Sequence, residues 1–291
     1  MTVAVVTDST ADLPSGLAAG RNITVVPLTV SFDGKHFLDG VEIDAAEFYR
    51  LNPTATTSQP SPARFAEAYR KLLENHEEVV SIHISERLSG TYDAAIQGAQ
   101  LTESAERIRV VDSSLVSMPL GLLVLAAAHL AAEGSPGAEV ERRVVGLAQQ
   151  TRVYFVVATL ENLRRGGRIG RASALLGSVL QVKPVLTIEE GLVTPLERVR
   201  TQERSVTRLI ELVRAVDQGS GLCAIVGHAA AEEAAQRIAA EIAPMSESLL
   251  IQPLGPVVGA HAGPGTVGVG CYPAQLLPLG LKAAAAATSP R

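Results

Sequence analysis

The sequence predicts an α/β fold: a three-layer N-terminal domain on a parallel sheet, then a smaller two-layer α/β domain. Three observations predict it. Short β-branched runs alternate with longer amphipathic stretches through the first half. A tight hairpin signal, Glu190-Gly191, enters in the second half. The 291 residues, 47% of them hydrophobic, are enough to fill two cores. The expected division is 1–160 and 161–282, with an alanine-rich tail at 283–291.

Taken in order, residues 3–7 are a first strand, 13–19 a short helix and 24–31 a second strand that turns at Asp33-Gly34 into 35–38. Residues 45–49 are helical. The stretch 62–75 starts a helix with Pro62 at its first turn and aligns Phe65, Ala68, Tyr69, Leu72 and Leu73 on one face. Strand 79–84, helix 91–104, strand 108–112 and helices 118–132 and 136–150 continue the alternation, which argues for an open, mainly parallel sheet covered by helices. The apolar run 120–132 is too short to cross a bilayer and reads as a core helix. After strand 153–158 comes a basic, glycine-containing loop at 162–170. Helix 172–180, strands 182–189 and 192–200, helix 205–216, strand 223–228, helix 231–242 and strand 248–253 complete the second unit.

Composition narrows the chemistry. With no tryptophan and few other aromatics, the core is built from Ala, Val and Leu, and a cavity lined by them suits an aliphatic guest better than a stacked base. A formal charge of −5 and the lack of a long basic stripe speak against nucleic-acid binding. The start reads as a strand and not as a leader, so a cytoplasmic location is expected. Cys223 and Cys271 lack paired metal spacing and are expected to be buried; no metal site is predicted. Neither a dinucleotide glycine pattern after the first strand nor GxxxxGK[ST] occurs, which disfavours a dehydrogenase or ATPase.

Three polar turns stand out: Asp8-Ser9-Thr10-Ala11-Asp12, Thr56-Thr57-Ser58-Gln59-Pro60-Ser61 and Leu88-Ser89-Gly90-Thr91-Tyr92. Hydroxyls and turn amides where strands hand over to helices can hold a carboxylate or phosphate. Each could also be an ordinary helix cap.

Together with Val111-Asp112-Ser113, the stretch from Leu163 to Ile169 and Gly259-Ala260-His261-Ala262-Gly263-Pro264-Gly265, these segments resemble the bacterial DegV family, in family order over nearly the whole chain. The resemblance implies a DegV-like fold and a non-catalytic, lipid-binding subunit of a fatty acid kinase system. Such a protein takes no cofactor. It buries one long-chain fatty acid between its domains and presents the carboxyl to a separate ATP-dependent kinase subunit, which forms acyl phosphate for phospholipid synthesis. Transient membrane contact is compatible with that role.

Matched residue by residue, the resemblance places carboxylate binding on Thr57, Ser89 and His261, with Ser58, Gly90 and Thr91 completing the shell through hydroxyls or amides. Asp8 and Ser9 brace the pocket, although an Asx turn accounts equally for Asp8. Arg168 and Arg200 are expected to dock the partner; a solvated basic surface is the plain alternative. His228, His83 and Asp112 are read as structural. Pocket-lining candidates are Leu28, Ile82, Leu115, Met118, Leu160, Ile169 and Leu180. Two other classes stay open: a small-molecule hydrolase using Ser89 and His261, although no GxSxG elbow is present, and a lipid-responsive regulatory protein.

Overall fold

A helix that is apolar on every side must be covered on every side, and Met118–Ala132 sets the architecture in this way. In this computed structural model, which describes residues 2–176 and 183–280, that helix lies between two sheets. The first half of the chain runs β1 (Val3–Asp8), α1 (Ser15–Gly20), β2 (Ile23–Val26), β3 (Thr29–Phe32), β4 (Lys35–Leu38), α2 (Ala45–Leu51), β5 (Thr56–Ser58), α3 (Pro62–Leu73), β6 (Glu78–His83), α4 (Thr91–Gln100), β7 (Ile108–Asp112), α5 (Met118–Ala132) and α6 (Gly137–Gln150). The second half runs β8 (Arg152–Val156), α7 (Glu161–Arg165), β9 (Val185–Glu189), β10 (Leu192–Glu197), α8 (Gln202–Arg214), β11 (Leu222–His228), α9 (Glu232–Ile242), β12 (Ser246–Pro253), α10 (Pro256–Ala262) and β13 (Val267–Pro273).

Strands β2-β1-β6-β7 form an all-parallel sheet. Helices α3 and α4 cover one face, and α5 and α6 the other, which is the three-layer arrangement expected. The chain leaves β1 toward one edge and β6 toward the other. The crevice beyond the carboxyl ends of β1 and β6 is therefore a topological switch point, where open α/β sheets bind ligands. A mixed sheet, β10-β9-β8-β13-β11-β12, carries α8 and α9 on its outer face and α5 on its inner face. One apolar cluster runs continuously from Val5 and Ile82 through Leu120 and Leu123 to Phe155 and Ile225, so α5 joins the two sheets.

That approach depends on two glycines of β13. A Cβ at Gly270 would stand 2.6 Å from the Pro119 nitrogen, and one at Gly268 would stand 2.7 Å from Phe155 Cβ and 3.0 Å from Met118 Cε.

Several expectations change. The single strand over 24–31 is two strands in different sheets, because Pro27 offers no N–H to a ladder and the chain bends there. Leu28 instead donates its amide to Ser9 Oγ (3.1 Å). Residues 56–58 are a strand paired with β3 and not only a turn, which completes a small β4-β3-β5 sheet. Arg152–Val156 pairs with β13 and β9, so the chain crosses to the second sheet before residue 152. The basic loop at 162–170 begins with α7, and β13 and α10 were not anticipated at all. Leu180, the far end of the expected helix over 172–180 and the alanine-rich 283–291 lie outside the described residues. Among the described residues no helix is long and apolar enough to cross a membrane.

Candidate functional site

At the switch point the two sheets and the small sheet enclose a cavity of about 810 Å³, counting the open mouth. Most of its wall is aliphatic or aromatic, including Leu28, Met118, Phe155, Val193, Leu254 and Val257. The polar side chains Thr57, Ser89, Arg168 and His261 also line it.

Strand β5 presents Thr57, and helix α10, packed on the small sheet and on α7, presents His261. Thr57 Oγ1 and His261 Nε2 are hydrogen bonded at 2.8 Å across 204 residues of sequence. Helix α10 starts with Pro256 and stops before Gly263, whose φ of 81° suits glycine. Both start and stop signals are present in the sequence. The other ring nitrogen, Nδ1, is buried without a partner against Gly166, where a Cβ would overlap the ring. Burial, and then the Arg168 cation, bring His261 down to about 4, so the ring is neutral at physiological pH.

Ser89 lies in the turn that leads into α4. Its Oγ is 2.8 Å from Thr91 Oγ1 and accepts from the Thr91 amide at 3.3 Å. Thr91 is thereby committed to orienting Ser89. Gly90 is covered by the Gln59 side chain, and Ser58 is exposed. None of Ser58, Gly90 and Thr91 lines the cavity, contrary to the expectation that they complete the shell.

Asp8 is wholly buried and accepts from Thr10 N (3.0 Å), Thr10 Oγ1 (2.5 Å), Ile84 N (3.1 Å) and His83 Nδ1 (2.9 Å). Behind it, Tyr69 Oη donates to Ser81 Oγ (2.9 Å), which donates to His83 Nε2 (2.7 Å). This chain pins Thr10 and Ile84, both cavity residues, and Ser9 pins Leu28. Asp8 and Ser9 thus sit behind the wall in a supporting position, and His83 is structural.

Arg168, expected on a docking surface, is exposed and also borders the cavity, donating to Leu88 O (3.2 Å) and Gly166 O (2.8 Å). Arg200 is exposed ahead of α8, away from the lining. Of the pocket candidates, Leu28 and Met118 line the cavity. Ile82 and Leu115 are in the apolar core, and Leu160 and Ile169 pack against it. Cys223 and Cys271 are free and buried, as expected. Among the described residues no cluster of His, Cys, Asp or Glu is arranged for a metal.

An apolar cavity at an α/β switch point with a few polar groups set in its wall has the form usual for a small-molecule site. A family model described as "Uncharacterised protein, DegV family" matches residues 2–274. A DegV domain-containing protein of Streptomyces coelicolor is 42% identical over 274 residues, covering 92% of this chain and 97% of that one. Among solved structures, a DegV family protein of Thermus thermophilus described for its fatty acid binding superposes with a TM-score of 0.88 at 38% identity, over 94% of this chain and 100% of that one. DegV of Bacillus subtilis, described as a fatty acid binding protein, gives 0.84 at 31% identity, over 93% and 99%. The chain belongs to the DegV family.

Proposed function

We propose that this protein holds one long-chain fatty acid in the cavity, with the acyl chain among the aliphatic residues and the carboxylate at Thr57, Ser89 and His261. The observation that carries the reading is the Thr57–His261 pair, set with Ser89 and Arg168 into a mostly apolar wall. Each buried CH₂ contributes about 0.8 kcal/mol, so the chain supplies affinity. Hydroxyl and imidazole donors with a nearby guanidinium fix one carboxylate end. The relatives described as fatty acid binding support the ligand class.

The hydrolase alternative needs Ser89 bonded to a histidine that an acid orients. Here His261 Nε2 is bonded to Thr57, Nδ1 has no partner, and Ser89 is bonded to Thr91. The carrier reading is therefore preferred. In that reading the protein performs no transfer itself and offers the carboxyl to a separate ATP-dependent kinase subunit in the cytoplasm for acyl phosphate formation. Arg200 touches the partner, and Arg168 stays with the ligand. The domain units, divided where the chain enters the second sheet, enclose the ligand between them.

The test is native mass spectrometry of protein purified from a bacterial host, followed by denaturation and identification of what is released. One fatty acid per chain is expected. Thr57→Ala, Ser89→Ala and His261→Ala should each weaken retention by roughly five- to a hundred-and-fiftyfold, from about 1–3 kcal/mol per lost donor. Arg200→Glu should spare binding and lower phosphorylation by a kinase partner. Protein that neither carries nor takes up fatty acid rejects the reading, and a ligand-dependent partner other than a kinase would favour a regulatory role.

A further inference from the structure

Directly behind the α10 wall, two carboxylates are buried with no cation among the described residues facing them. Asp12, in the left-handed region after β1 (φ 50°), accepts from Ser117 Oγ (2.5 Å) and from the Gly255 amide (2.9 Å). Asp39, only 3% exposed, lies beside the Ser9 hydroxyl and the Val257 amide, and its Oδ2 has no partner. Both press on one residue: a Cβ at Gly255 would stand 2.8 Å from Asp12 Oδ1 and 3.3 Å from Asp39 Oδ1. The other titratable groups facing them are Asp8 and Tyr49, whose Oη donates to Leu254 O at 2.9 Å.

These contacts hold the start of α10 in place. Ser117, Leu254, Val257 and Val258 are cavity wall, and His261 lies one turn further along the helix. Ser117 itself has φ 63° and ψ −131°, a conformation nearly confined to glycine, and its bond to Asp12 helps keep it there. Two like charges this deep cannot both ionise without a counter-ion. Burial raises Asp12 well above the carboxylate range and Asp39 to about 7.

We propose that Asp12 and Asp39 are positioning residues, at least one of which stays protonated while α10 is seated against the ligand, so that fatty-acid affinity falls as pH rises through neutrality. The inference rests on the fatty-acid reading above. With the proton gone, two charges oppose each other across Gly255 and push Val257 and Val258 off the acyl chain. Ligand binding favours the seated wall and therefore takes up the proton, with a limiting dependence of about tenfold per pH unit for a single proton.

The experiment titrates full-length protein with oleate, by displacement of a fluorescent octadecanoic acid, at pH 6.5 and 8.5. Wild type should bind about three- to tenfold more weakly at the higher pH, beyond whatever change Asp39→Asn shows. The asparagine cannot ionise and keeps an acceptor for Val257, and the ligand's own ionisation is common to both proteins. Carboxyl NMR of aspartate-labelled wild type supplies a second readout: one resonance titrating near neutrality, moving to higher pH when oleate is bound. Parallel pH profiles in wild type and Asp39→Asn, or full ionisation of both aspartates at pH 6, overturn the inference and leave the ligand assignment standing. If no fatty acid binds at any pH, the ligand assignment fails and this inference falls with it. If Asp39→Asn does not fold, the wild-type resonances decide alone.

Discussion

His261 should carry a measurable share of the acid sensitivity of the ligand-free protein. Burial first, and then the Arg168 cation, oppose an imidazolium and bring the ring from an ordinary 6.5 to about 4. The unfolded chain takes up this proton near the ordinary value and the folded chain only near the lowered one. The contribution is therefore fully present above pH 6.5 and is lost as pH falls through about 4. At about 1.4 kcal/mol per pH unit the whole loss approaches about 3 kcal/mol, reduced where water at the mouth screens the ring. For a chain of this size each kcal/mol corresponds to about 2–4 °C in Tm. The assay is thermal unfolding of wild type and His261→Gln, whose amide does not titrate, between pH 7.5 and 4.5. The advantage of wild type should shrink by several degrees on acidification. Asp12 and Asp39 act in the opposite sense, since their raised folded-state values give a contribution that is greatest in acid and lost as pH rises. They are common to both proteins and cancel from the difference. A difference that does not change with pH would refute the reasoning.

Three further outcomes are expected. Gly166→Ala puts a methyl into the His261 ring; it should weaken fatty-acid binding roughly tenfold by calorimetry with little loss of Tm, and unchanged affinity would show that the ring can give way. Gly270→Ala sets a Cβ against the backbone of α5 between the sheets and should cost about 1–3 kcal/mol or more by urea unfolding, with a neutral result arguing against the close approach. Arg168→Ala removes a cation from the cavity wall; it should weaken binding and flatten its salt dependence, whereas Arg200→Glu should leave both unchanged.

How much of this was legible before folding depended on how local the signal was. The strands at 3–8, 78–83 and 108–112 and the helices between them follow from period, β-branching and Pro62, which act within a few residues. The uniform apolarity of residues 118–132 announced a buried helix but not which two sheets would bury it. Strand β13 was missed because Gly268 and Gly270 lower its intrinsic strand preference; its place is decided by Pro119 and Phe155, far away in sequence.

The site divides in the same way. Sequence by itself determined the parallel α/β framework and the polar turns at its strand ends and, by resemblance, pointed to Thr57, Ser89 and His261. Only the tertiary structure decided that Thr57 meets His261, that Thr91 serves Ser89, that Arg168 lines the cavity and that Asp12 and Asp39 converge on Gly255. The reason is physical: turn type and periodicity are set by neighbouring residues, whereas which side chains share a cavity is set by how α5 and α10 pack, through contacts spanning 204 residues (Thr57–His261) and 243 residues (Asp12–Gly255).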